Sequence, residues 1–215
     1  HLRWVNLYLN GLYWGAYQLT ERVDEDFLQA YIDPDDDFDI RTNEGVKEGD
    51  ALAWDDLIAK CNLAKSTPAS NQLYDDVAAR LDIDNYIDYM STEIFLSNED
   101  WVYSNIVLWR KTGPYTPDAG AGYDGKFRWL LYDFDGAFGG SCSNAYYTVN
   151  TLNKALDSVW IYDSYTRLFR GMTANPTFRN KFINRSCDLM NSTFRSNTLN
   201  DKMDQIFNEL DPEMM

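Results

Sequence analysis

Histidine is almost missing from this chain: the one histidine is His1. That shortage excludes Ser-His-Asp and Cys-His catalytic arrangements and most zinc sites, which all need an imidazole. Cysteine is scarce as well. Cys61, Cys142 and Cys187 form no C-x-x-C pair, and an odd number leaves at least one thiol free or paired outside the chain. Long apolar runs are absent, none reaching the roughly 18 residues that a membrane-spanning helix needs. No signal peptide is visible at residue 1, and Trp4 to Leu9 already reads as a core strand, so the chain is expected to start inside a domain. Positive charge is also in deficit, with 19 Lys and Arg against 34 Asp and Glu, a net charge of −15. That balance argues against nucleic acid and anionic membrane surfaces as partners. A polyanionic nucleotide is compatible only if metal ions stand between its phosphates and the protein's carboxylates. A merely solvated acidic surface is the plainer explanation of the same charge.

Apolar and aromatic residues are plentiful. Apolar residues make up 45% of the 215-residue chain and aromatics 15%, including 15 Tyr and 7 Trp. Spread as they are along the whole length, they predict one large folded domain rather than a disordered segment.

Residues 3–20 read as a β-hairpin turning on Asn10-Gly11. Val23 to Tyr31 reads as a short helix with Val23, Phe27, Leu28 and Tyr31 on one face. Residues 33–50 read as an acidic loop. Asp50 and Ser70 are candidate caps for two following helices. The clearest helix runs from Ile83 to Ser97, capped by Asp82, with Ile83, Tyr86, Ile87, Met90, Ile94 and Phe95 as its apolar stripe. Asn105 to Arg110 and Phe127 to Tyr132 read as two strands, joined by a Gly- and Pro-rich loop. Beyond Gly140 a polar loop gives way to helices over 162–172, 176–194 and 199–210, Pro176 suiting a first helical position.

Two segments carry the chemistry. Asn98-Glu99-Asp100 ends the buried helix, and Asn105 follows Asp100 after four residues. Asp133-Phe134-Asp135-Gly136 comes 28 positions after Asn105, beyond the strand pair. Protein kinases place in this order an Asp that orients the attacking hydroxyl, an Asn that holds metal, and an Asp that holds metal on the ATP phosphates. Either segment alone is also an ordinary helix-to-strand or strand-end turn. Asp133 and Asp135, two apart on a strand, share a face and repel unless a cation sits between them, which suits Mg²⁺. Gln18, Leu19, Thr20 and Glu21 end the second hairpin strand, where a kinase-like fold offers backbone groups to the adenine edge; a plain strand-end charge is the alternative for Glu21. Carboxylates at Asp33, Asp35, Asp37, Asp39 and Glu44 echo a calcium loop, but Phe38 stands where a Gly is needed.

Val5-Asn6-Leu7-Tyr8-Leu9-Asn10-Gly11-Leu12-Tyr13-Trp14-Gly15-Ala16-Tyr17-Gln18-Leu19-Thr20-Glu21 resembles the strand-turn-strand signature of the spore-coat protein H (CotH) kinase family. Asn98 to Asn105 and Leu131 to Gly139 resemble its two catalytic segments, with Tyr132-Asp133-Phe134-Asp135 where the family usually shows Trp-Asp-x-Asp. Asn175 to Arg179 and the helices to Met215 resemble its C-terminal end. The resemblance implies an α+β, atypical protein kinase-like fold, with an N-terminal β-hairpin, a catalytic strand pair and a mostly helical C-lobe. It implies an enzyme, secreted or in the cell envelope, that uses ATP with Mg²⁺ or Mn²⁺ to phosphorylate Ser/Thr hydroxyls of secreted or surface proteins. Asp100 matches the catalytic-loop Asp, and Asn105, Asp133 and Asp135 match metal-holding positions. Residues 1–22 are expected to be hairpin and hinge and 23–215 the C-lobe of a single domain lacking its first N-lobe elements. Lys47, Lys60 and Lys65 fall in the wrong order for the phosphate-binding lysine, so residues 1–215 alone are expected to be inactive. The rival expectation is a non-catalytic coat-assembly or adhesion protein on the same fold.

Overall fold

A computed structural model describes residues 3–139, 148–157 and 163–213. Cys142 therefore lies outside the described residues, as does most of the polar loop beyond Gly140. Strands β1 (Arg3–Leu9) and β2 (Leu12–Leu19) pair antiparallel about Asn10 and Gly11, whose φ angles are 51° and 81°. Such a two-residue turn needs φ > 0 at both positions, which Asn-Gly supplies at least cost. The hairpin is not core, as Trp4 to Leu9 had suggested. Tyr8, Leu9, Leu12, Tyr13, Trp14, Tyr17 and Leu19 are all exposed. A two-stranded ribbon has no second layer of its own, and among the described residues these strands form a sheet only with each other.

After Asp24, whose carboxylate accepts the Phe27 amide at 3.1 Å, comes α1 (Glu25–Tyr31). Next stand β3 (Phe38–Thr42) and β4 (Gly45–Glu48), where the sequence suggested only acidic loop. They join β5 (Val107–Lys111) and β6 (Arg128–Leu130) in an antiparallel sheet of order β4-β3-β5-β6. Phe38 and Ile40 alternate with Asp39 and Arg41, a period-two signal too short to stand out among so many carboxylates. Asp39 is itself buried, with Arg110 at 3.6 Å and the Asp50 amide at 3.2 Å. Asp36 pairs with Lys111 at 2.5 Å. These carboxylates therefore answer to the sheet's own cations, and no metal-holding group of three or more converges among the described residues.

The sheet separates two apolar clusters. Phe38, Ile40, Val107 and Trp109 face Leu28 of α1 on one side. Leu108 and Trp129 turn to the main core, as strand alternation requires. That core is built by α2 (Leu52–Ser66), α3 (Asn71–Ala78), α4 (Ile83–Leu96), α6 (Asp163–Thr173) and α7 (Pro176–Met190). Short α5 (Thr151–Leu156) was not foreseen, and α8 (Ser196–Leu210) buries none of its residues. Ser70, Asp82 and Asn175 cap their helices through side-chain oxygens. Ala51 rather than Asp50 occupies the α2 cap position, although Asp50 still accepts the Leu52 amide at 2.8 Å.

Two polar clamps fix β6 against the start of α4. Asn85 accepts the Trp129 amide at 2.7 Å and donates to the Trp129 carbonyl at 3.1 Å. Arg128 reaches Asp82 at 3.0 Å and grips Asp124 through two bonds of 2.7 and 2.8 Å. Strand end and helix end are thus held in one frame, and the two chemistry-bearing segments hang from that frame.

Helices α2 and α6 meet where Gly171 lies on Cys61: a side chain at 171 would collide with the thiol sulfur. Gly171→Ala is expected to lower stability by about 1–3 kcal/mol through overpacking, despite the better helix propensity of Ala. Adding Cys61→Ala should recover most of that loss in a denaturant-melt double-mutant cycle. Additive losses would show that the two positions do not meet.

Candidate functional site

The site begins where α4 stops. Ser97 ends the helix in the left-handed region at φ 49°, and the chain turns back over the helix end. Asn98 goes inward, fully buried, and donates to Glu93 at 3.1 Å. Trp101 also goes inward, its indole N–H donating to the Tyr89 hydroxyl at 3.0 Å. Asp100, between these two anchors, stays half-buried. Its carbonyl accepts the Tyr103 and Ser104 amides at 2.8 and 2.9 Å, closing a tight turn.

The second segment docks on the first at two points. The Glu99 amide donates to the Gly136 carbonyl at 3.0 Å, and the Asn105 side-chain amide donates to the Asp133 carbonyl at 3.2 Å. Both partners of the second bond adopt left-handed backbone, Asn105 at φ 62° and Asp133 at φ 54°. Each such residue costs about 1 kcal/mol, least for Asn and Asp, and such strain clusters at functional sites. Asp133 and Asp135 do not sit on a strand face, because β6 ends at Leu130. A turn brings them together instead.

The gathered acids act on one another's charge. Burial raises the Asp133 carboxyl above its ordinary range, and the negative charges of Asp135 and Asp100 raise it further. Three carboxylates therefore share one region. They do not form a closed cage of three or more ligands. The donor set still fits a hard cation such as Mg²⁺, which takes one or two carboxylates and completes its shell with water and phosphate oxygens. Asp133, Asp135 and Asn105 Oδ1 are oxygen donors of that kind, since Asn105 spends its amide N–H₂ on Asp133.

A cleft of about 750 Å³ opens beside this turn. Thr20, Glu21, Arg22 and Val23 line one wall, and Ser104, Asn105 and Tyr132 line another. Gln18 and Leu19 do not line it: they lie in β2 opposite Trp4 and Arg3. Lys47, set aside in the sequence for its order, does line it and donates to the Val23 carbonyl at 2.5 Å. A second cleft of about 550 Å³ is lined by Asp100, Tyr103, Asn153 and Lys154. The 100–105 turn thus lies between two clefts, with Asn105 on one and Asp100 on the other.

Two buried titratable groups beneath the turn escaped the sequence reading. Burial pushes the Glu93 carboxyl up to about 8, although Asn98, Tyr89 and Lys154 pull it down. Glu93 Oε1 has no hydrogen-bond partner among the described residues, which also favours the neutral acid. Burial likewise brings Lys154 down to about 8, against the upward pull of Asp100, Glu99 and Glu93. Glu93 did leave a signal: it falls three residues after Met90, on the apolar stripe of α4. Lys154 left none, since it sits in a polar stretch.

The family model described as CotH kinase protein matches residues 1–215, the whole chain. No curated protein and no solved structure matches it.

Glu93 makes stability depend on pH. Its folded value of about 8 lies above the unfolded 4.5, so the folded state holds the proton more tightly. Stability contributed this way is complete below pH 4.5 and is lost as pH rises through 8. Between pH 5 and 7.5 the melting temperature should fall by roughly 3–10 °C from this group. Glu93→Gln, which mimics the neutral acid, should remove that part of the slope. An unchanged slope in the variant would place the titration elsewhere.

The carboxylate cluster gives a second test. Mg²⁺ or Mn²⁺ should raise the melting temperature of the wild-type protein and leave Asp133→Asn unmoved, while metal-free Asp133→Asn melts no lower than wild type because repulsion is relieved. A metal shift that survives Asp133→Asn would put the ion at other ligands.

Proposed function

This chain belongs to the CotH kinase family, and we propose that it is an atypical protein kinase acting on Ser/Thr hydroxyls of secreted or surface proteins. Family membership gives the kinase-like function; the residue roles rest on the geometry of the turn. The observation that carries them is the bond from Asn105 to the Asp133 carbonyl. It joins the two chemistry-bearing segments at the edge of the larger cleft.

In this reading Asp100 accepts a hydrogen bond from the acceptor hydroxyl and orients its oxygen. Most of the gain is positional, because phosphoryl transfer asks little covalent help of a protein. Asn105 and Asp133, with Asp135, would hold Mg²⁺ or Mn²⁺. The backbone at Thr20 and Glu21 would meet the adenine edge across the cleft. ATP would supply the phosphoryl group, and the metal ion the positive charge that stands between its phosphates and a protein of net charge −15. The two clefts suit the two substrates, nucleotide on the Asn105 side and acceptor on the Asp100 side. No helix among the described residues is long and apolar enough to cross a membrane. Family membership supports a secreted or cell-envelope location, such as the spore coat or cell surface.

The aromatic hairpin favours a second reading. Tyr8, Tyr13, Trp14 and Tyr17 are exposed, which suits a non-catalytic coat-assembly protein that binds partners through them.

The test is transfer from γ-labelled ATP with Mn²⁺ or Mg²⁺ by the full-length protein. Label should appear on protein Ser/Thr, and Asp100→Ala or Asp133→Ala should each reduce its rate by about 10²–10⁴-fold. No transfer, together with no metal-dependent ATP binding, would select the assembly reading.

A further inference from the structure

We propose that Lys154 is the positioning residue for Asp100, its ammonium gripping the two backbone carbonyls that flank Asp100 and so fixing where that carboxylate meets the acceptor. The inference rests on the kinase reading above.

Three successive carbonyls in the turn after α4 have no helix or sheet ladder to accept from. The Asp100 carbonyl takes the Tyr103 and Ser104 amides. Those of Glu99 and Trp101 take Lys154: its Nζ donates to Glu99 at 3.1 Å and also to Trp101. The bond to Trp101 is buried and that to Glu99 half-buried, and a backbone acceptor taken out of water without a donor is costly, so the lysine stabilises this shape of the turn.

The lysine is itself well fixed. Lys154 is 5% exposed, and its Nζ stands 4.7 Å from the centroid of the Tyr103 ring. Its helix is capped by Asn150, which accepts the Asn153 amide at 3.0 Å. Thr151 donates to the Ser97 hydroxyl at 3.2 Å, tying α5 to the end of α4. Both ends of the turn are thus referred to one rigid frame, and the lysine spans it.

A neutral donor would satisfy the same carbonyls without the cost of burying charge. Burial opposes the ammonium, and the charges of Asp100 and Glu99 favour it. Its charge acts on the side of Asp100 that lines the smaller cleft, where Lys154 also lies. A carboxylate displaced by about 1 Å can cost on the order of 10²-fold in rate. Loss of the lysine should therefore appear in turnover rather than in nucleotide binding.

The experiment compares Lys154→Met and Lys154→Arg with wild type in the full-length protein. It reads kcat, KM for ATP, and hydrogen exchange of the 101–104 amides. Lys154→Met should lower kcat about 10²-fold with KM for ATP within about threefold. Lys154→Arg, which keeps a cation and its donors, should recover at least part of that loss. Exchange at 101–104 should accelerate about tenfold or more in Lys154→Met while the centre of α4 keeps its protection. Unchanged kcat, or equal losses in kcat and ATP affinity, would overturn the assignment. If wild type itself transfers no phosphoryl group, the kinase reading is what fails. The exchange arm then judges the anchor alone, and unchanged protection at 101–104 would overturn it too. Should Lys154→Met not fold, Lys154→Arg carries the same comparison: a folded variant with wild-type exchange but kcat as low as that of Asp100→Ala would refute the role.

Discussion

The turn that follows α4 depends on one requirement: polar backbone taken out of water must find partners within the protein. Ser97 reverses the chain, and the next four residues run across the helix end rather than into solvent. Asn98 and Trp101 are drawn inward to Glu93 and Tyr89, and the carbonyls of 99, 100 and 101 are each given a donor. Only after these demands are met does Asp100 stand in a defined place. The site's precision is thus a consequence of burial beneath it more than of contacts around the carboxylate.

The second segment inherits its position from the same source. The Asn85 and Arg128 clamps hold β6 against the start of α4. The chain leaves β6 at Leu130 and reaches Asp133 in a left-handed conformation that the Asn105 bond sustains. Strain at Asn105 and Asp133 is carried by this scaffold, which leaves Asp133 facing the negative charges of Asp135 and Asp100. A cation would relieve that repulsion, so the ion that the proposed chemistry requires would also stabilise the site. In a protein of net charge −15, nucleotide phosphates would approach such a place only with metal already between.

Much of this was legible in the sequence, and the exceptions share a cause. The hairpin, the α4 stripe, the caps at Ser70, Asp82 and Asn175, and the order of Asp100, Asn105 and Asp133 all follow from local rules of turn chemistry and periodicity. Strand β3 was hidden because its pairing with β5 is non-local and only Phe38 and Ile40 advertise it, and β4 pairs with β3 alone. Asp133 and Asp135 seem to share a strand face because the sequence pattern carries the strand to Tyr132, two residues past its end at Leu130. Gln18 and Leu19 remain in β2, away from the cleft that Thr20 and Glu21 line. Lys154 could not be found from its neighbours at all: its role exists only once α5 is folded against a turn some 50 residues earlier in the chain. Burial of Glu93 was readable from its place on an apolar stripe, but its value near 8 depends on Asn98, Tyr89 and Lys154 arriving around it.

The central claim is that Asn105, Asp133 and Asp135 form a metal–nucleotide site at the edge of the larger cleft. The most direct measurement is anomalous diffraction from crystals of the full-length protein grown with Mn²⁺ and a non-hydrolysable ATP analogue. The account predicts a manganese peak bounded by Asn105, Asp133 and Asp135, with the analogue's base toward Thr20 and Glu21. Manganese on the acidic stretch at 33–39 instead, or an analogue bound away from Asn105, would contradict it.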